Sequence, residues 1–355
     1  MPQAPEPPSA LDVPSPAVVL SASEPSSPKQ RRTAMPRFHP LDGIVHPQSP
    51  AGEKYRRRLA VAVAAAGTSP LDLHNFGGKT IPALTFVNLY VGGRAAWAPS
   101  DIANIDGALG AAMSDAHLNN MLAQYFNGTA PTTTMLASEV LSDASPPTVG
   151  KDTVEGWAVG MHQAGTLAGP DLATTVHCFM LPKGTVLTDG PAAGGAAAAA
   201  ADPSTLPGDD DAADSKSGLG GFHGSVHTGP DTVYYAVGVY SDSDNGINAF
   251  PDAAWKNVVA TFYHELNEAR TDADVEDAAA AASLADGQRK LGWYSIKGGE
   301  IGDIPITEAG ADLSKVMVEV PLADGSGTVP IQLLWSDDAN GPEGPVDAPL
   351  PASKD

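Results

Sequence analysis

Three stretches of the chain concentrate apolar residues in the manner of strands. Ile81 to Val91 is rich in branched and aromatic side chains and stops at Gly92-Gly93. Thr174 to Leu181 reads as a buried strand, and Thr232 to Tyr240 is the clearest of the three. Other stretches follow the helical period. Asp101 to Tyr125 spaces Ile102, Ile105, Leu109, Leu118 and Leu122 as one long helix would, with Asp101 placed to cap its start. A shorter helix-like piece surrounds Trp157. From Asp252 to Arg270, the residues Trp255, Val258, Val259, Phe262, Leu266 and Ala269 recur at intervals of three and four, the stripe of an amphipathic helix.

The ends lack such patterns. The first fifty residues hold 12 of the 32 prolines and little that could fill a core, so residues 1–53 are expected to be disordered. Residues 54–69 form a basic-apolar segment. Residues 70–337 are expected to be one globular domain, interrupted over 190–220 by a low-complexity insertion that contains Gly194-Gly195, six alanines and Asp209-Asp210-Asp211. Residues 338–355, dominated by Gly, Pro and Asp, are expected to form a disordered acidic tail.

Charge narrows the classes of partner. The chain carries a net charge of −22, with eight Lys or Arg against five Asp or Glu in residues 1–58 and 12 against 37 thereafter. The body is therefore strongly acidic and offers no basic stripe for a nucleic acid, while attracting cations and basic peptides. The single cysteine, Cys178, excludes a disulfide framework and a Cys-based zinc site, and is expected to be a small buried hydrophobe. No run reaches the length of a membrane span. Lys54-Tyr55-Arg56-Arg57-Arg58 followed by Leu59 to Gly67 has the order of a signal sequence. It implies a secreted or periplasmic protein if it acts as one, and a cytoplasmic protein otherwise.

The candidate chemistry sits on the last amphipathic helix, in His264-Glu265-Leu266-Asn267-Glu268. An i, i+4 spacing brings the His264 imidazole and the Glu268 carboxylate to one point, on the face opposite Trp255, where both could hold a divalent ion. The pattern His-Glu-x-x-His uses this spacing for zinc, and zinc accepts a carboxylate in place of the second imidazole. Glu265 is then the candidate general base. Two ligands are too few. Glu300 and Asp303, in the Gly-bounded turn after Trp293-Tyr294, are candidates for the rest, with His223, Asp272 and Tyr294 in reserve or in support. The bland alternative is a solvated helix face bearing ordinary surface charges.

Several motifs extend this pattern: His264-Glu265-Leu266-Asn267-Glu268-Ala269-Arg270-Thr271-Asp272, Gly292-Trp293-Tyr294 and Gly299-Glu300-Ile301-Gly302-Asp303. With Gly221-Phe222-His223, His74-Asn75-Phe76-Gly77-Gly78 and the closing Gln332-Leu333-Leu334-Trp335-Ser336, they give a chain that resembles the EXORDIUM or phosphate-induced protein family of plants and its bacterial relatives. The resemblance covers about residues 74–337 and is strongest over 221–303. It implies an α/β (α+β), zincin-like single domain with a mixed sheet and an active-site helix. It does not imply a demonstrated peptidase, and for the plant members it implies a role in the apoplast linked to growth and carbon status. Ile304 stands where the family usually has a Cys, and Cys178 has no partner, so the disulfides of the family pattern are absent. Two functions follow as expectations. One is a zinc-dependent, metallopeptidase-like hydrolase acting on a peptide or protein substrate; the other is a non-catalytic wall-associated or extracellular protein with a structural metal or carboxylate cluster.

Overall fold

A computed structural model describes residues 43–53, 71–142, 144–190, 213–274, 291–295 and 298–354. The expected tail over 1–42, the basic-apolar segment 54–69 and residues 191–212 of the insertion lie outside them. Six strands build the central sheet: β1 (Ala83–Tyr90), β2 (Thr132–Met135), β3 (Glu139–Val140), β4 (Thr175–Leu181), β5 (Gly221–Thr228) and β6 (Asp231–Val239). Their order is β2-β1-β4-β6-β5, with β3 also hydrogen-bonded to β1. All pairs are parallel except the last, where β5 runs antiparallel along β6 and places His223 opposite Ala236. The fold is thus mixed α/β.

Strands buried on both faces read as continuous apolar runs, and this explains why β1, β4 and β6 stood out in the sequence. The pleat sends Leu84, Phe86, Tyr90, Val176, Cys178, Met180 and Ala236 into one cluster. Val87, Leu89, Phe179, Leu181, Tyr235 and Val237 enter the other. The first cluster is closed by α1 (Pro99–Ser114), α2 (Ala116–Leu122) and α4 (Ala254–Thr271), through residues such as Ile105, Leu118, Val259 and Phe262. The second is closed by α3 (Lys151–Ala164), through Val154, Ala158 and Met161. No helix among the described residues is long and apolar enough to cross a membrane.

The structure differs from the sequence pattern at four places. The long helix expected over 101–125 is broken at Asp115, whose backbone is extended and whose carboxylate accepts the Leu118 N–H at 3.0 Å, so that it caps α2. Asp101 is not the cap of α1, which starts at Pro99, where the ring presets the helical φ. Asp101 instead accepts the Tyr240 hydroxyl at 2.8 Å. Residues 43–53 are placed against the domain: Ile44 is fully buried and Val45 forms a bridge with Leu219. Residues 338–354 are not a disordered tail. Gly341–Glu343 pairs with Leu334–Ser336, and the backbone N–H groups of Val346, Leu350 and Ser353 donate to the carbonyls of His117, Asn120 and Gln124 at 2.8–3.0 Å. Composition misses the last three contacts because their partners lie more than 200 residues upstream. Within the insertion, 213–220 is also ordered, with Asp214 capping a short turn through Ser217 N–H at 2.7 Å.

Candidate metal centre

The helical period of α4 was expected to leave one wet face. Every residue from Asn257 to Thr271 is buried instead, because the sheet, α1 and the strand Thr328–Gln332 surround the helix. His264, Glu265 and Glu268 have no exposed surface, which removes the reading of them as solvated surface charges. Charged groups in such a place must be paired or must hold a metal.

Two histidines converge on this face from different elements. On β5 the strand alternation turns Phe222 into the cluster under α3 and His223 towards α4. His223 Nε2 lies 3.1 Å from the backbone carbonyl of Asp272, which can only accept, so Nε2 carries a proton and, in the neutral ring, Nδ1 keeps its lone pair. His264 is held in the same way. Its Nδ1 donates to the Gln332 side-chain oxygen at 3.0 Å, and Gln332 in turn donates through Nε2 to the Gly302 carbonyl at 2.6 Å, which fixes the amide orientation. In the neutral ring His264 Nε2 is therefore the bare nitrogen. Neither bare nitrogen has a hydrogen-bond partner. An imidazole tied at one nitrogen by a carbonyl acceptor, with the other free, is the usual state of a metal ligand.

The bare nitrogens face carboxylates. His223 Nδ1 is 3.5 Å from Glu265 Oε2 and 3.6 Å from Glu268 Oε2, and His264 Nε2 is 3.0 Å from Glu268 Oε1. His264 Nε2 and Glu268 Oε1 are close without being aligned as a hydrogen bond. Two triads have ligand atoms all within 4.8 Å of one another: His223, Glu265 and Glu268, and His264, Glu268 and Asp303. The turn at 299–303 is brought against α4 by the Gly302 N–H, which donates to Glu268 Oε1 at 3.2 Å. Within that turn Asp303 accepts the Glu300 N–H at 3.1 Å. Gly302 is demanded by space alone: a Cβ there would stand 2.3 Å from His264 Nδ1.

Electrostatics oppose leaving this cluster without positive charge. Burial disfavours a charged His264, yet the carboxylates of Glu268, Glu265 and Asp303 outweigh it and push its pKa up to about 9. Burial also disfavours charge on His223, and Glu300, Glu265 and Glu268 again prevail, raising it well above the ordinary value. For Glu268, burial is outweighed by the two imidazoles, which hold it down to about 2. Glu265 and Glu300 are pushed up, chiefly by burial. Among the described residues, the ion pairs of Glu265, Glu268 and Glu300 are with these histidines and with no lysine or arginine. Protons on the imidazoles or a divalent cation between the ligands would each answer the deficit, and the donor set of imidazole nitrogen and carboxylate oxygen suits zinc.

Most of the residues singled out in the sequence do meet. His264, Glu268 and Asp303 converge, as do His223 and Glu265. Glu300 is outside both triads and faces the other side of His223, with Oε1 3.7 Å from Nε2. Asp272 supports through its carbonyl on His223, while its carboxylate accepts the Gly292 N–H at 2.9 Å. Tyr294 pairs with His74 in a short antiparallel ladder and belongs to neither triad. Gln332 and Ile44 were not anticipated as site residues. Gln332 orients His264, and the Ile44 N–H donates to Glu265 Oε1 at 3.2 Å. A buried amide inside the run Thr-Val-Pro-Ile-Gln was the available signal for Gln332; for Ile44 there was none. Comparison with protein-family models, with curated proteins and with solved structures finds no match. The resemblance to the EXORDIUM family therefore rests on the sequence motifs alone.

Proposed function

We propose that this chain is a divalent-metal protein that holds zinc inside the domain through His264, Glu268 and Asp303. The observation that carries the reading is the pair of buried histidines, each tied at one nitrogen to a carbonyl oxygen and each presenting the other, without a hydrogen bond, to buried carboxylates. The three ligands have at most 1 % exposure, so an ion held by them would be shut off from a substrate and would serve the fold. Zinc here would tie α4 to the 299–303 turn, beside the Gly302 N–H that donates to Glu268. Metal analysis of the purified full chain should find zinc, and a chelator should lower the melting temperature sharply. Protein that carries no first-row metal, even from zinc-supplemented cells, would end this reading.

A second reading, a metallopeptidase-like hydrolase, is favoured by one observation. Glu265 adjoins His264 on the same helix turn and leaves Oε2 without a hydrogen bond, as a general base beside a metal would. Zinc would supply Lewis acidity to a carbonyl under attack. Such a reaction requires displacement of the chain that covers the centre. Release of product from a broad peptide library by the parent, abolished in Glu265→Gln with zinc at His264 retained, would establish hydrolysis. A metal-loaded parent without turnover leaves the structural reading.

A further inference from the structure

Resting on the zinc site just proposed, we infer that the centre binds a pair of divalent cations, with Glu268 bridging them and His223 and Glu265 completing a second site. The argument begins with how Glu268 is shared. Its Oε1 lies 3.0 Å from His264 Nε2, and its Oε2 lies 3.6 Å from His223 Nδ1. The two oxygens of one carboxylate thus serve two different histidines, and Glu268 is the only residue common to the two triads. A carboxylate that offers one oxygen to each of two ions sets them a few ångströms apart, the spacing of two-metal centres, about 3.5–4 Å.

The distances from the two imidazoles to their carboxylates are close to the edges of a coordination shell. Bonds of about 2.1 Å from a metal to nitrogen or oxygen place neighbouring ligand atoms roughly 3.0–3.4 Å apart. The second site shows 3.5 Å from His223 Nδ1 to Glu265 Oε2 and 3.6 Å to Glu268 Oε2, and the first shows 3.0 Å. These contacts are not hydrogen bonds: His223 Nδ1, His264 Nε2, Glu265 Oε2 and Glu268 Oε2 are all buried without such a partner. One ion at His264 would leave His223 Nδ1 and Glu265 Oε2, 3.5 Å apart, to share a proton in place of an ion.

Charge points the same way. Glu265, Glu268, Glu300, Asp303 and Asp272 bring five carboxylates into a region with at most 1 % exposure. Among the described residues Glu265, Glu268 and Glu300 have ion pairs with the two imidazoles and with no lysine or arginine, so a second divalent ion would add positive charge where only the imidazoles offer it. Glu265 is on this account a ligand, held by the Ile44 N–H on its other oxygen. The segment at 43–53 accordingly closes the second site rather than trailing from the domain.

The test counts metal in the full chain. Protein from zinc-supplemented cells, freed of loosely bound ions, should contain two zinc ions per chain, and His223→Gln and Glu265→Gln should each contain one. Manganese loading gives an independent readout that needs no variant: two bridged ions produce a spin-coupled resonance spectrum, and a single ion does not. One zinc in both parent and His223→Gln, with an uncoupled manganese spectrum, overturns the pair and leaves the site at His264 standing. No metal in the parent overturns both proposals. One zinc in the parent and none in His223→Gln overturns the pair and moves the single ion away from His264.

Discussion

Gly302→Ala is the smallest change that should disturb the centre without touching a ligand. Gly302 has φ −90° and ψ −31°, a conformation open to any residue, so backbone strain is not the issue. The difficulty is space. The added Cβ would lie 2.3 Å from His264 Nδ1, 2.5 Å from Cε1 and 2.8 Å from Cγ. Ordinary contact needs roughly 3.5 Å or more, so the imidazole must move by about 1 Å. It has little room, being fully buried and hydrogen-bonded to Gln332. Overpacking of this kind costs about 1–3 kcal/mol, which in a domain of this size lowers the melting temperature by roughly 2–10 °C. Displacing a ligand and its support should also weaken zinc by about 10–100-fold. Thermal melting with and without zinc reads the first effect, and competition against a coloured chelator reads the second. Gly107→Ala serves as the control. Gly107 is exposed in the middle of α1 with nothing within 4 Å of a built Cβ, so alanine there should stabilise by about 0.5–1 kcal/mol and leave zinc affinity unchanged. If the two variants melt alike and bind zinc alike, the placement of His264 against the 299–303 turn is wrong.

Further outcomes follow from the same geometry. Gln332→Leu keeps the volume but removes the acceptor for His264 and the donor to Gly302, and should weaken zinc by about 10–100-fold while folding is retained; unchanged affinity would show that Gln332 does not orient the ligand. In metal-free protein, stability should fall as pH rises from 6 to 9. His264 is raised to about 9, so its contribution is complete below the ordinary histidine value and is lost through about 9, and the raised Glu265 and Glu300 act in the same direction. The depressed Glu268 contributes above the ordinary carboxylate value and is lost only as pH falls through about 2. Zinc-loaded protein should show the opposite slope between pH 5 and 7, because protons compete for the imidazoles. Parallel melting curves for the two forms across that range would contradict a histidine-ligated centre. On the other side of α4, Arg270 is fully buried, bonded to Asn119 at 2.9 Å and to Thr133, and burial lowers its pKa to about 10. Arg270→Met should stay within about 1 kcal/mol of the parent, since it removes a buried charge that has no carboxylate partner among the described residues. Arg270→Ala should lose about 2–5 kcal/mol by leaving a cavity. Equal losses by melting would mean that the guanidinium itself is required.

Local periodicity carried the regular elements. The strands Ala83–Tyr90, Thr175–Leu181 and Asp231–Val239 and the helix Ala254–Thr271 fall within a residue or two of where the apolar pattern put them, because each is specified by which of its own neighbours can be buried. The pairing of His264 with Glu268 was equally legible, since four residues of helix bring them together whatever surrounds them. What surrounds them was not. The same stripe that predicts an amphipathic helix says nothing of a sheet edge and a C-terminal hairpin strand covering the polar side. Whether that face is wet or dry decides whether its charges are ordinary or are buried groups that could hold a cation. Asp303 rather than Glu300 in the His264 triad, His223 beside Glu265, Gln332 behind His264, and the placement of segments 43–53 and 338–354 all depend on contacts between residues 30 to more than 200 positions apart. The residue types along the chain determined which groups could bind a metal; only the tertiary packing, by removing water from them and setting their separations, decided that they converge.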